Sequence, residues 1–575
     1  MVNGLPATYQ DFTELGWDEI EPYTEALLQS ELSIDTIDIW LKNWTLIASL
    51  ITECFYRLQL RTMTHTNDVE NTKRFHDYSE NIMPNAKIFE QSMIDLLLKS
   101  GIEPENFSIP LRKMRSDTQI FLEKNLPLQT KIDKLLIQQQ EITGSRMIDW
   151  DGQEITIKEA ADKIIDPERN IREKAWRLIC SRVAQDRDAI DDIWSQLLDQ
   201  RLEIATNAGF DDFRSYQWRK LGRFDYSFND CLAFHQSIED VVVPAVSKIS
   251  KKRKKRLGVD KLRVWDDHWY LKPDSSGLPP IKPYKDIDDL NKKMETIFSS
   301  VDSDLGGYYQ IMVEEGLLDL EARKHKSLVG YMEELPASKR PFIITNVSNT
   351  TGDISTLLHE GGHAFHVFES AHWPFHYQSS INQMPIEFAE VGSMAMELLA
   401  YPYLTLDQGG FFTRAEAARA KIEHLEIILG FFPYMAVVDA FQHWVYENPN
   451  DAHDPESCDE VWSTLHKRYL PHLDWSSIED TLGPGWQSQG HIFFDPFYYV
   501  EYGIAQLGAI QIWENAQQDQ EKAVQLYRNA LALGNTASLL DLFKAAGVKF
   551  AFDTETLKRA VDTIERAITE LEQID

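Results

Sequence analysis

The stretch TLLHEGGHAFHVFE, Thr356 to Glu369, constrains this chain's architecture more than any other. His359 and His363 are four residues apart, a step that puts two side chains on one face of an α-helix with their imidazoles converging. A tetrahedral zinc ion takes two nitrogen ligands in that geometry. Glu360 stands one step round the helix, placed to reach a water on such an ion without being a ligand, so H-E-x-x-H supplies two ligands and a general base. With 16 His and 91 Asp plus Glu in 575 residues, chance yields a match to H-[DE]-x-x-H fewer than about 0.1 times. Gly361 and Gly362 each cost on the order of 1 kcal/mol inside a helix. A local rule broken with no packing benefit in view marks a functional site.

Zinc in a catalytic site wants a third protein ligand and leaves its fourth position to water. In H-E-x-x-H-x-x-G-x-x-H sequences the chain turns at the glycine and supplies it, but here His366 replaces that glycine and Glu369 the last histidine. The helix is therefore expected to continue and carry Glu369 away, which moves the third ligand to a separate helix. MPIEFAEVGSMAMELLAYPYL, Met384 to Leu404, is such a helix, started near Pro385 and offering Glu387, Glu390 and Glu397. Glu390 and Glu397 are seven apart and share a face, so one can bind the metal while the other supports it. Spacing alone leaves all three open.

The rest of the chain reads mostly as helix. Apolar residues recur at three- and four-residue steps from Ile37 to Leu60, and again near Ile190 to Ile204, Cys231 to Ile249, Ala415 to Leu429 and Leu557 to Leu571. RPFIITNVSNT, Arg340 to Thr350, breaks this pattern as a strand, with SLVGYMEEL, Ser327 to Leu335, as its partner, so a small sheet is expected beside the HExxH helix. Leu271 to Asp286 reads as a loop by its Pro, Gly and Ser content. KKRKKR, Lys251 to Arg256, reads as the solvated end of a helix before Gly258.

A formal charge of -33 argues against nucleic acid or an anionic membrane as partner. The first twenty residues show no signal peptide pattern. LEIILGFFPYMAVVDAF, Leu425 to Phe441, reads as a buried helix too short and too interrupted to span a bilayer. Cys54, Cys180, Cys231 and Cys458 are scattered, as reduced thiols of a cytoplasmic protein would be. A length of 575 residues implies more than one lobe.

NTTGDISTLLHEGGHAFH followed by PIEFAEVGSMAMELL resembles the zinc peptidase family of thimet oligopeptidase and oligoendopeptidase F, in its oligoendopeptidase F branch. That family pairs an HExGHxxH helix with a downstream F-x-E-x-x-S helix. The resemblance extends to GLLDLEARKHKSLVGYMEE upstream and WQSQGHIFFDPFYYVEYGIAQ downstream, over the C-terminal two thirds of the chain; the N-terminal helices share only its general style. Gly361 departs from the bulkier residue of many relatives without touching the ligands. The resemblance implies His359, His363 and Glu390 as zinc ligands, one ion per chain, and Glu360 as the base.

It also bears on the downstream segment, where LGPGWQSQGH, Leu482 to His491, is a glycine-rich loop and DPFYYVEYG is expected to start a helix at Pro496. Tyr499 and Tyr502 are three apart and share a face, whereas Tyr498 reads as core packing. For His491, Tyr499 and Tyr502 the resemblance implies hydrogen-bond donors to the substrate carbonyl and the oxyanion. Which tyrosine is the main donor stays open. The strand from Phe342 to Val347 is expected to take the substrate backbone as an added strand.

The expected fold is mainly α, and the resemblance implies a two-lobed helical metallopeptidase with a deep cleft, residues 1–200 forming a helical lobe that roofs it and 201–575 the catalytic domain. The expected activity is endopeptidase cleavage of short unstructured peptides. Two alternatives are a carboxypeptidase, which would need an anchor for the terminal carboxylate that no pattern here marks, and a catalytically dead scaffold, which should have lost Glu360.

Overall fold

The computed structural model describes residues 4–6, 8–270, 272–273 and 278–574. It is mainly helical, with helices at each periodic segment. Helix Ile37–Thr64 buries Trp40, Leu41, Trp44, Ile47, Leu50 and Ile51 along one face, at the three- and four-residue steps that made it legible. These residues anchor an N-terminal core that also takes in Phe89, Met93, Phe107 and Phe375. A second, larger core runs from Leu60 to Ile568. Helix Arg187–Asn207 passes unbroken through residue 200, where the sequence division between lobe and catalytic domain was placed.

Helix Arg414–Glu447 has 34 residues, with Pro433 inside it and a capping box from Thr413 and Glu416 at its start. It is twice the length read from Leu425–Phe441. Among the described residues it is the one helix long and apolar enough to cross a membrane, with a window hydropathy of 1.4, yet 72% of that window is buried within the protein. The run Lys251–Arg256 ends helix Val243–Leu257, stopped by Gly258 at φ 65°, a left-handed conformation that glycine adopts without a Cβ penalty. Lys252 and Arg256 pair with Glu572. Arg253 instead turns inward, 5% exposed, and donates to the Asp266 and Pro273 carbonyls. The loop read over 271–286 is irregular up to Lys285 where described; residue 271 and residues 274–277 lie outside the described residues.

Two small sheets interrupt the helices. Strands β1 (Met147–Trp150) and β2 (Gln153–Thr156) form an antiparallel hairpin around Asp151 and Gly152, at φ 57° and 86°. Asp-Gly is a hairpin turn signal, since both positions tolerate positive φ. The second sheet has the order β3 (Leu318–Glu321), β5 (Arg340–Val347), β4 (Tyr331–Leu335), with β3 parallel and β4 antiparallel to β5. The expected pair β4–β5 is present, and β3 is an addition. It corrects one expectation: β5 is central, its backbone hydrogen-bonded on both sides, so Phe342–Val347 offers no free edge to a peptide. The outer edge belongs to β4, which among the described residues pairs only with β5.

Candidate active site

Strand β5 leads through Asn349, at φ 59°, into helix Thr351–Ser370. Asp353 fastens the entry, its Oδ2 accepting from Thr350 N at 2.8 Å, Ser348 N at 3.0 Å and the Tyr284 hydroxyl at 2.5 Å. An acidic group at this end also suits the helix dipole. The helix packs on Ile386–Leu399, and Gly362 sets how closely. A Cβ on Gly362 would stand 2.6 Å from both the Gly392 carbonyl oxygen and Ser393 Cα. The glycine therefore has a packing reason that one helix's sequence does not show. Gly361 has another, since its Cβ would meet the buried Phe298 ring at 2.7 Å.

This close approach brings Glu390 against both histidines. Glu390 Oε2 lies 3.4 Å from His359 Nε2 and 3.6 Å from His363 Nε2, and the three ligand atoms fall within 4.8 Å of one another. Ser393 Oγ donates to Glu390 Oε2 at 3.0 Å and steadies it. Glu397 Oε1 lies 2.8 Å from His359 Nδ1, so that nitrogen donates to Glu397 and Nε2 is the atom that faces Glu390. The other oxygen of Glu397 meets His424 Nε2 at 2.9 Å, and His424 Nδ1 meets the Tyr401 hydroxyl at 2.7 Å. Glu387 points elsewhere and accepts from the Tyr226 hydroxyl at 2.6 Å. Glu369 pairs with Arg528 at 2.7 Å.

The electrostatics call for a cation. Burial opposes charge on His359, yet hydrogen bonds to Glu390 and Glu397 overcome it and hold its pKa well above the histidine range. Burial lowers His363 to about 4 despite the nearby Glu390. A proton on His359 Nε2 is what holds the two nitrogens and the carboxylate oxygen together here, and a metal cation bound at the same three atoms would take that proton's place. The donor set of two imidazoles and one carboxylate fits zinc with an open fourth position. Beside it Glu360, 8% exposed, lies near the Met332 backbone N–H of β4, and burial, against the attraction of His359, pushes its pKa up to about 7.

A second cluster, Cys231, Asp439 and His443, also brings ligand types together. Arg214 Nη1 sits 3.3 Å from His443 Nδ1. Arginine only donates, so Nδ1 accepts and the neutral ring carries its proton on Nε2, 3.3 Å from Asp439 Oδ2. His235 Nε2 meets the same oxygen at 2.8 Å. His235 thus holds the buried carboxylate by a hydrogen bond, and His443 Nδ1 is already engaged by Arg214.

The tyrosine segment differs from the spacing argument. Its helix starts at Tyr499, not Pro496, because Phe497 takes a left-handed φ of 69°. Tyr499 is buried and packs on Phe431 and Tyr434. Burial alone lifts its pKa, to about 12. The Tyr498 and Tyr502 rings meet edge to face at 5.1 Å between centroids, and both phenols are raised well above their usual range, chiefly by burial and also by the charge of Glu390. His491 stacks on Tyr498 at 5.7 Å between ring centroids. The two phenols that feel Glu390 are thus Tyr498 and Tyr502, while Tyr499 packs among aromatic rings. His424 was also missed; it lies on a helix whose pairing with Glu397 no local pattern reveals.

Gly362→Ala is expected to destabilise the fold by about 2 kcal/mol, since both atoms it meets are backbone and the helices must part. Zinc affinity should fall with it as Glu390 withdraws from the histidines. Thermal unfolding with and without zinc, with zinc titration of the folded variant, checks both effects.

Comparison with known proteins places this geometry. The family model for Peptidase family M3 matches residues 165–561. Oligopeptidase PepF of Bacillus subtilis (strain 168) is 24% identical over 341 residues, 58% of this chain and 47% of that protein. An oligoendopeptidase F homolog of Borreliella burgdorferi is 24% identical over 41% of this chain and 39% of its own length. The chain thus spans about half or less of these curated relatives. Among solved structures, PZ peptidase A with an inhibitor superposes at a TM-score of 0.85 with 25% identity, covering 100% of both chains. A putative oligoendopeptidase F superposes at 0.85 with 27% identity over 97% of each. Another, from Bacillus anthracis, reaches 0.81 with 25% identity over 98% of this chain and 97% of that one.

Proposed function

The chain belongs to peptidase family M3, and from that premise we propose that it is a zinc-dependent endopeptidase cleaving internal bonds of short, unstructured peptides. The observation that carries this reading is the convergence of His359 Nε2, His363 Nε2 and Glu390 Oε2 beside Glu360. Those three atoms would hold the ion, and Glu397, by keeping the proton on His359 Nδ1, leaves Nε2 free to bind. Zinc, when bound, acidifies water and polarises a carbonyl. Glu360 takes the proton of the attacking water and hands it to the leaving amine. Tyr498 and Tyr502, with His491 behind Tyr498, present donors where oxyanion charge develops.

The edge of β4 left unpaired among the described residues suits a peptide backbone lying past Glu360, because Met332 of the same strand lies near that carboxylate. The helical N-terminal lobe, in this reading, roofs the cleft and excludes folded proteins. All four cysteines are free thiols, which supports a cytosolic setting.

Mass spectrometry of products from a mixed peptide pool, with and without chelator, tests this reading. Internal cuts, including in peptides amidated at the C-terminus, that vanish with chelator and return with zinc are expected. Cleavage indifferent to chelator would overturn the metal reading, and release of C-terminal residues alone would overturn endopeptidase action.

Tyr502→Phe and Tyr498→Phe should each lower kcat more than they change KM, because only contacts that strengthen in the transition state speed chemistry. The larger loss should approach that of one oxyanion donor, about 3 kcal/mol. Tyr499→Phe should stay near wild type. Steady-state kinetics on one quenched peptide decides, and a crippled Tyr499→Phe beside two normal partners would reverse the assignment.

A further inference from the structure

The segment that carries His491 and Tyr498 is neither regular helix nor strand between Asp495 and Tyr498, yet its backbone is tied down. Helix Gly490–Phe494 is one turn long and ends at Asp495. Phe497 then adopts φ 69°, a conformation that a bulky residue keeps only where its surroundings enforce it. Phe497 is fully buried, its ring set against Trp218, His443 and Tyr446. Its N–H donates to Gln442 Oε1 at 2.7 Å.

Two buried guanidiniums hold the carbonyls. Arg201, on helix Arg187–Asn207 and 3% exposed, donates to Ile492 O at 3.2 Å, to Phe493 O, and to the Tyr446 hydroxyl at 2.9 Å. Arg223, 6% exposed and lying over the Trp218 ring, donates to Phe497 O at 2.5 Å and to Glu501 Oε1 at 2.6 Å. Glu501 belongs to the same helix as Tyr502, so Arg223 joins the left-handed turn to the helix that follows it. Removing two charges from water is costly, and both are spent on one short stretch of irregular backbone beside the metal ligands.

We propose that Arg201 and Arg223 are positioning residues: their planar forks fix residues 491–498 so that His491, Tyr498 and Tyr502 stand ready before substrate arrives. Donors held in advance need no reorganisation as charge develops. The proposal rests on the peptidase reading for its catalytic meaning and on the hydrogen bonds alone for its structural one. A lysine keeps the charge but cannot span two acceptors in fixed directions. It therefore separates a need for charge from a need for the fork.

Arg201→Lys and Arg223→Lys are to be compared with wild type by hydrogen–deuterium exchange, zinc content and steady-state kinetics, with exposed Arg177→Lys as control. Faster exchange confined to 490–498, unchanged zinc, kcat lowered about tenfold or more and KM within about threefold are expected. Exchange at 490–498 equal to wild type, or full rescue of kcat by lysine, would overturn the proposal. Should a lysine variant lose protection throughout, Tyr446→Phe serves instead, since it removes one anchor of Arg201 while keeping the ring; local loosening of 491–494 supports the proposal and unchanged exchange rejects it. If wild type cleaves no peptide, the peptidase reading fails while the exchange comparison still decides whether the arginines hold the segment.

Discussion

Glu360→Gln is expected to keep its zinc and lose at least about a hundredfold in turnover, because general-base catalysis is worth roughly 10²–10⁴. The substitution is nearly isosteric, and its amide oxygen can still face the Met332 N–H that lies near the carboxylate. Glu360 is 8% exposed, so replacing a buried acid by a neutral amide relieves desolvation and leaves the fold at least as stable. What disappears is the ability to take a proton from water and return it to an amine. Zinc per chain measured beside kcat separates this from a failed metal site. Near-normal turnover with full zinc would assign the base to another group.

The parts legible in the sequence are those that depend on one element's own period. His359 and His363 share a face because helix Thr351–Ser370 continues regularly through both, and the same arithmetic found helix Ile37–Thr64 and the strand pair β4–β5. Reasoning failed where a single backbone angle or a distant partner decides. Phe497 at φ 69° delays the tyrosine helix to Tyr499, where counting from Pro496 assumed a regular start. Strand β3 is four residues of Leu and acid, too short to stand out from a helical background, yet it makes β5 central. The glycines of HEGGH broke a helix rule for a reason carried by Gly392, Ser393 and Phe298. Arg201, Arg223 and His424 come from three different places in the chain. No local pattern marks them, because their meaning lies in the backbone or carboxylate they meet.

Glu390→Gln is expected to abolish activity by releasing zinc, whereas Glu387→Gln should retain it. Spacing left three glutamates open, and the geometry separates them. Glu390 Oε2 stands 3.4 and 3.6 Å from the two histidine nitrogens, Glu387 is engaged by Tyr226 at 2.6 Å, and Glu397 lies behind His359 at 2.8 Å. A glutamine at 390 presents a neutral oxygen in place of an anion that offsets half the charge of the ion. Loss of a supporting partner typically costs 10–100-fold in metal affinity, so loss of a direct anionic ligand should exceed about a hundredfold. Glu397→Gln falls in the supporting class, because its amide can turn an oxygen to only one of the two imidazoles it now joins. Zinc titration against a competing chelator gives all three affinities, in the expected order Glu387→Gln tightest, Glu397→Gln between, and Glu390→Gln weakest. If Glu387→Gln were the variant that let zinc go, the ion would have to be bound by an arrangement other than the convergence seen here, and the roles given to Ser393 and Gly362 in placing Glu390 would fall with it.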